Sequence, residues 1–522
     1  MKKVRNSLLP LGIAFSAFLT ACGNGTAGSD TQTTESGQTA ESVQTAEKEQ
    51  KEPVIIGTWQ AEDAALEGNV KVEKNKSGYT GDGYISGIQN DDDGCLFTIE
   101  ITEGGFFDLN FISVSEGGYK ENFISVDGES VGSIVTEDAE FADSYIRRVY
   151  LEAGTHEIEV VKSWGWICLD CLVVSESEQL DPAIYEVKTA LCNKNASEEA
   201  RRLYSYLCDI YGEKILSGQY CDTGGNGKEF QVVKKATGKT PAVLGLDFIE
   251  YTPSRVENGS TGHATDLALN FWENGGIVTF CWHWNAPSPY LTGQWYSGFY
   301  TDSTNIDLAK IMNGEDKEGY DLLMKDIDAI AEQLLILKEA HVPILWRPLH
   351  EASGGWFWWG ASGPEPYIQL YKLLYERLTN EYGLDNLIWV WNGQDAAWYP
   401  GDEYVDIIGE DIYPGEKVYT SQIDAYLNAA QNYAGETKLV YLTENGCVFD
   451  PELAKRDGAM WGMWCTWQGE FVARDTAIFT LSEQYTEEAA LIKAYEDEDV
   501  LTLEDLPDLA TYEMREEFKQ AD

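Results

Sequence analysis

The chain has 522 residues, too many for one small core, so two folded domains and a tail are expected. It carries 88 acidic against 37 basic residues, a net charge of -51, which repels nucleic acid and leaves neutral or cationic partners. Aromatic content is 12%, with 17 Trp and 29 Tyr; ring faces beyond the needs of a core act as stacking platforms, and sugar rings are a natural client.

In chain order, Lys2, Lys3 and Arg5 precede an apolar run from Leu8 to Leu19. That run is too short to span a bilayer and reads as an export signal over residues 1–21. It ends in Leu19-Thr20-Ala21-Cys22-Gly23, which resembles a bacterial lipoprotein box. The resemblance implies lipidation of Cys22 and display at the cell surface, tethered to a bacterial membrane by the lipid alone. Residues 22–53 are mostly Thr, Ser, Gln, Gly and Glu, a composition that cannot bury a core and reads as a solvated spacer. The other cysteines are scattered, and Cys281 and Cys465 lie within apolar runs, as small hydrophobes do. Cys168 and Cys171 have CxxC spacing, but positions three apart in a strand point to opposite faces, so a zinc or redox site has little support.

Residues 54–176 show short alternating runs, such as Cys95-Leu96-Phe97-Thr98-Ile99-Glu100 and His156-Glu157-Ile158-Glu159-Val160, punctuated by Gly, Asn and Asp. Such spacing predicts an all-β sandwich. Ala61-Glu62-Asp63-Ala64, Gly81-Asp82-Gly83-Tyr84-Ile85 and Trp166-Ile167-Cys168-Leu169-Asp170 resemble carbohydrate-binding module family 35. The resemblance implies a structural calcium held by Glu62 and Asp170, whose hard oxygens suit that ion. It also implies a glycan site on loops at one end of the sandwich, for which Tyr84, Asn122 and Trp164 are the candidates.

Over residues 177–522 the pattern changes to strands alternating with helices. Eight strand-like runs are expected at 214–220, 242–248, 276–282, 343–348, 387–391, 405–409, 438–443 and 459–464. Amphipathic stretches such as 320–339 and 364–382 lie between them. The count suggests a (β/α)₈ TIM barrel following the sandwich, and barrel enzymes place their chemistry at the C-terminal strand ends. There the fourth run ends in Trp346-Arg347-Pro348-Leu349-His350-Glu351 and the seventh in Thr443-Glu444-Asn445-Gly446. Charges at buried strand ends are costly unless paired, and two carboxylates across an aromatic mouth suit glycoside hydrolysis. The barrel half offers no metal-ligand cluster and no phosphate-binding Gly loop, so no cofactor is expected for catalysis.

Those two motifs, with Trp282-His283-Trp284-Asn285, resemble glycoside hydrolase family 26, whose best-known members are endo-β-1,4-mannanases. The resemblance implies retention, with Glu351 as acid/base and Glu444 as nucleophile, acting on β-mannan or a related plant polysaccharide. It places His283 and His350 on substrate hydroxyls near the cleavage point. Arg347 is expected to keep the nucleophile ionised and Tyr413 to hydrogen-bond it, while Trp356 and Trp464 are expected to offer ring faces to sugars. A mixed-linkage β-glucanase or xylanase of the same family, and a non-catalytic glycan-binding lipoprotein, remain open.

Overall fold

In the strand Gly94–Ile101, Cys95, Phe97, Ile99 and Ile101 are buried while Thr98 and Glu100 face solvent. That period of two marks a sheet with one face on a core. The computed structural model describes residues 53–519, apart from 116, 119, 137, 164–165, 223–226 and 475–478. Gly94–Ile101 belongs to an antiparallel sheet ordered Ala65–Glu67, Gly94–Ile101, Gly154–Lys162, Lys120–Val126, Glu129–Thr136. A second sheet runs Lys71–Glu73, Tyr84–Ser86, Ile167–Glu176, Gly105–Ser115, Ala142–Leu151, and Ile55–Gln60 also pairs with Ile167–Glu176. Phe97, Ile124 and Val160 from the first sheet meet Leu109, Phe111 and Leu172 from the second in one core. Each such side chain contributes roughly 1.5–3 kcal/mol on burial. The predicted sandwich is present. A bulge between Leu169 and Cys171 shifts the register of Ile167–Glu176 and frees Asp170 from the ladder.

The barrel is closed and parallel. Its strands are Gly218–Tyr220, Val243–Asp247, Ile277–Trp282, Ile344–Pro348, Leu387–Trp391, Ile407–Ile412, Leu439–Asn445 and Trp464–Thr466. All five residues of Leu387–Trp391 are buried, because a parallel strand has the barrel interior on one face and helices on the other. Six strands lie at the predicted places, and the first keeps only Gly218–Tyr220 of the expected 214–220, because Ile215–Leu216 pairs outside the barrel with Val500–Leu501. The eighth begins at Trp464 instead of ending there, because residues 459–463 feed into the barrel as irregular backbone with only a bridge from Met463 to Leu216.

The sandwich is fastened to the barrel through Arg148, which has left-handed backbone (φ 57). Its Nε donates to the carbonyl of Asp457 at 2.7 Å, at the end of the helix Pro451–Asp457 that follows the seventh strand. Among the described residues no helix is long and apolar enough to cross a membrane.

Candidate active site

Period-two alternation turns Arg347, near the end of the fourth strand, into the barrel, where it is fully buried. Two left-handed non-glycine residues follow, Leu349 (φ 54) and Glu351 (φ 52), a conformation that persists only where surroundings enforce it. Here the backbone N–H of Glu351 is held by the carbonyl of Asn392 at 2.7 Å and its side-chain Oδ1 at 2.8 Å. The Ala352–Gly354 turn then brings Trp356 back over the carboxyl group, and the indole Nε1 donates to Glu351 Oε2 at 2.8 Å. Trp356 is 36% exposed, so its ring remains available at the mouth.

Glu444 projects from the seventh strand toward the same space. Its Oε1 takes a hydrogen bond from Arg347 Nη2, and its Oε2 takes one from the Tyr413 hydroxyl at 2.7 Å. Arg347 Nη1 is held in turn by Asp411 Oδ2 at 2.6 Å, and Nη2 also reaches the Tyr220 hydroxyl at 3.1 Å. The other oxygen of Asp411 accepts from Thr443 Oγ1 at 2.7 Å and Asn392 Nδ2 at 3.0 Å. Space for that Thr443 hydroxyl depends on Gly409, where a Cβ would stand 2.7 Å from Oγ1. One carboxylate oxygen from each of Glu351, Asp411 and Glu444 lies within 4.8 Å of the others.

Charge separates the two glutamates. Burial, then the charges of Asp411 and Glu444, push the Glu351 carboxyl well above its ordinary range, with the Trp356 N–H a smaller opposing influence. Burial also raises Glu444, to about 7, but the Arg347 guanidinium pulls against it, helped by the Tyr413 hydroxyl. Arg347 itself remains charged, since Asp411, Tyr220 and Glu444 outweigh its burial. The proton the pair shares at neutral pH therefore belongs to Glu351, and the bare carboxylate is Glu444. Two identical side chains thus acquire different roles from their surroundings.

Beside the pair stand the two predicted histidines, with His283 Nε2 and His350 Nε2 3.2 Å apart. Burial, then Arg347 and His283, hold His350 well below the usual imidazole range, so it is neutral. Trp464 does not reach the mouth. As the first residue of its strand it points away from the barrel axis, fully buried against Phe449 and Tyr495. The ring at the mouth is Trp467, just past the strand's end, 4.7 Å from Tyr220 and 5.6 Å from His283. Asp247, Asn392 and Asp411 also belong to the site, although nothing local in the sequence singles them out of an acidic chain.

In the sandwich two candidate glycan contacts move inward. Tyr84 is fully buried between Tyr79 and Phe141, its hydroxyl bonded to Asn75. Asn122 is equally buried and donates to the Val161 carbonyl at 3.3 Å. Neither offers a surface to a sugar. Trp164 and Cys22 lie outside the described residues.

Glu62 and Asp170 do come together. Glu62 Oε1 takes the N–H groups of Asp82 (2.6 Å) and Gly83 (3.1 Å), while its Oε2 is buried without a hydrogen-bond partner. Asp170 accepts from the Thr80 N–H at 2.9 Å and hydroxyl at 3.0 Å, and that hydroxyl also reaches Gln60 Oε1 at 3.1 Å. Burial raises the Asp170 carboxyl, and the charge of Glu62 adds to the rise. The connecting turn needs Gly81, at φ +64, where a Cβ would lie 2.4 Å from Glu62 Oε1. Two close carboxylates, one of them with an unfilled buried oxygen, and a side-chain carbonyl form an all-oxygen set that fits calcium.

Comparison with known proteins agrees with this geometry. Residues 192–494 match the family model for glycosyl hydrolase family 26, and residues 57–177 match carbohydrate binding module (family 35). A mannan endo-1,4-beta-mannosidase of Thermothelomyces thermophilus is 38% identical over 454 residues, covering 86% of this chain and 90% of the relative. The crystal structure of the Podospora anserina GH26-CBM35 beta-(1,4)-mannanase is 37% identical, with a TM-score of 0.60 over 87% of this chain and 99% of that one. A beta-mannanase from a symbiotic protist of the termite Reticulitermes speratus, complexed with gluco-manno-oligosaccharide, is 31% identical, with a TM-score of 0.55 over 62% of this chain and 98% of that one. With Glu351 and Glu444 facing each other at the strand ends and both domains matched, the chain belongs to glycosyl hydrolase family 26 and carries a family 35 carbohydrate-binding module.

Proposed function

We propose that the chain is an endo-β-1,4-mannanase that hydrolyses mannan-type hemicellulose with retention, Glu444 acting as nucleophile and Glu351 as acid/base. The observation that carries this is the approach of the two carboxylates, with oxygens within 4.8 Å. Retaining pairs stand about 5–5.5 Å apart, whereas inverting pairs leave roughly 6.5–9.5 Å for a water. In the first step Glu444 forms an ester to the anomeric carbon as the glycosidic bond breaks, and Glu351 gives its proton to the departing oxygen. Esterification removes the Glu444 charge, one of the influences raising Glu351. Now ionised, Glu351 takes a proton from water as the water oxygen attacks the anomeric carbon, and Glu444 leaves as a carboxylate. Product analysis on mannan, glucomannan, mixed-linkage glucan and xylan tests the specificity. Manno-oligosaccharide release is expected, and activity confined to glucan or xylan would overturn the reading.

The acidic site of the sandwich is read as a structural calcium site held by Gln60, Glu62 and Asp170, the ion supplying charge balance and no chemistry. Saturating calcium is expected to raise the melting temperature of the sandwich by about 5–10 °C over a chelated sample, and Glu62→Gln to remove the difference. Identical melting with and without the ion would exclude it. For the N-terminus we read Cys22 as the lipidated residue of a cell-surface protein, residues 24–52 holding the enzyme off the membrane. Cys22→Ser should then release the protein into the medium; a serine variant still retained on cells would remove the anchor.

A further inference from the structure

We propose that Asp247 is a positioning residue whose carboxylate fixes the tautomer of His283, and through it the polarity of the His283–His350 pair, for the sugar at the cleavage point. The inference rests on the reading of Glu351 and Glu444 as the catalytic pair.

Asp247 ends the second barrel strand and is buried. Three donors converge on it. The backbone N–H groups of Ile249 (2.9 Å) and His283 (3.1 Å) share Oδ1, and His283 Nδ1 meets Oδ2 at 2.7 Å. A carboxylate only accepts hydrogen bonds, so Nδ1 of His283 carries a hydrogen, and a neutral ring with its hydrogen there has a bare lone pair at Nε2. His350, neutral beside it, can then bond only by donating its own Nε2–H across the 3.2 Å gap. Nδ1 of His350 is left as an acceptor, buried without a hydrogen-bond partner among the described residues. The direction of the whole chain, from His350 to His283 to Asp247, is thus set at one carboxylate.

His283 is the member of this chain that faces the cleft. Its ring lies between Phe299, Phe357 and Trp467. A sugar hydroxyl entering beside Glu444 takes the place of the bond between the two rings, donating to the lone pair on His283 and accepting from the N–H on His350. With the opposite tautomer on His283 two N–H groups would converge there, and although the hydroxyl oxygen could accept from them, its own hydrogen would meet no acceptor.

Asp247→Asn tests this at nearly constant volume. The amide oxygen would still be needed by the two backbone N–H groups, so its NH₂ would face His283 Nδ1 and force the hydrogen onto Nε2. Nitrogen-15 spectra of histidine-labelled enzyme, simplified by a total of five histidines, should show His283 as the Nδ1–H form and His350 as the Nε2–H form in the wild type. In the variant His283 should appear as the Nε2–H form. The kcat/KM on mannan should fall about 100-fold, between the usual loss of an outer hydrogen-bond partner and that of a carboxylate orienting a proton-transferring histidine. Most of the loss should be in kcat, with unchanged melting. Wild-type kcat/KM in a folded variant with the switched tautomer would overturn the proposal. So would the Nε2–H form of His283 in the wild-type spectrum, which needs no variant. Loss of turnover in Glu444→Ala beside either result would leave the catalytic pair standing, and retention of turnover there would sink the pair instead.

Discussion

Glu444→Ala is expected to lower kcat on mannan by about 10⁵-fold, the scale of losing the nucleophile of a covalent catalyst. The alanine leaves a gap the size of a carboxylate, lined by the Arg347 guanidinium and the Tyr413 hydroxyl, both of which had bonded Glu444. An azide ion fits that gap and its charge. Azide should therefore restore turnover by attacking the anomeric carbon while Glu351 protonates the leaving oxygen. Because no second displacement follows, the product should be the α-glycosyl azide, of inverted configuration, which proton NMR of the anomeric region identifies. The same substitution removes one of the charges that raises Glu351, after burial and Asp411. The basic limb of the pH profile should accordingly lie at lower pH when azide is scarce and move back toward that of the wild type as the azide anion fills the gap. Turnover near the wild-type rate without azide would refute the role of Glu444, and a β-configured azide would refute direct attack from its place.

How far the sequence could lead depended on whether a signal was local. Strands such as 344–348 lie between amphipathic helices, so their number and the placement of Glu351 and Glu444 at their ends could be read directly. That Arg347 and Tyr413 both reach Glu444 could be anticipated because each lies at or beside the end of a strand at the barrel mouth. Asp247 and Asp411 could not, because each is one acidic residue among 88, and only closure of the barrel brings them to His283 and Arg347. Trp464 failed through register. An irregular entry of five residues moved its strand toward the C-terminus, and Trp467 took the place at the mouth. Tyr84 failed differently, because Phe141, from a distant part of the chain, closes over its ring opposite Tyr79. The bulge that aims Asp170 at Glu62 is likewise a property of pairing between strands and has no signature along one of them.

Arg347→Met carries the second large expected effect, on stability as well as rate. The guanidinium is the cation between two buried carboxylates, with side-chain exposures of 0% for Arg347, 0% for Asp411 and 4% for Glu444. Methionine fills comparable space but leaves both acids without their counter-charge, and breaking such a buried group from one side costs about 3–5 kcal/mol. The protein can reduce that cost by binding a proton. Glu444 is already raised to about 7, and Arg347 is the strongest influence holding it down, so its pKa in the folded variant should rise further above the unfolded value. A carboxyl raised on folding stabilises below its unfolded pKa, and that contribution is lost as pH climbs through the folded one. The variant should therefore lie closer to wild type at pH 5 than at pH 7.5 in urea unfolding. Protonation also disarms the nucleophile, so kcat should fall about 10³-fold, the upper end for one preorganised donor. Arg347→Lys retains the charge without the fork that reaches Asp411 and Glu444 together, and should recover stability more than rate. If Arg347→Met instead unfolds with the same free energy as wild type at both pH values and turns over normally, Arg347 neither holds Glu444 ionised nor keeps the proton on Glu351, and the division of labour between the two glutamates needs another cause.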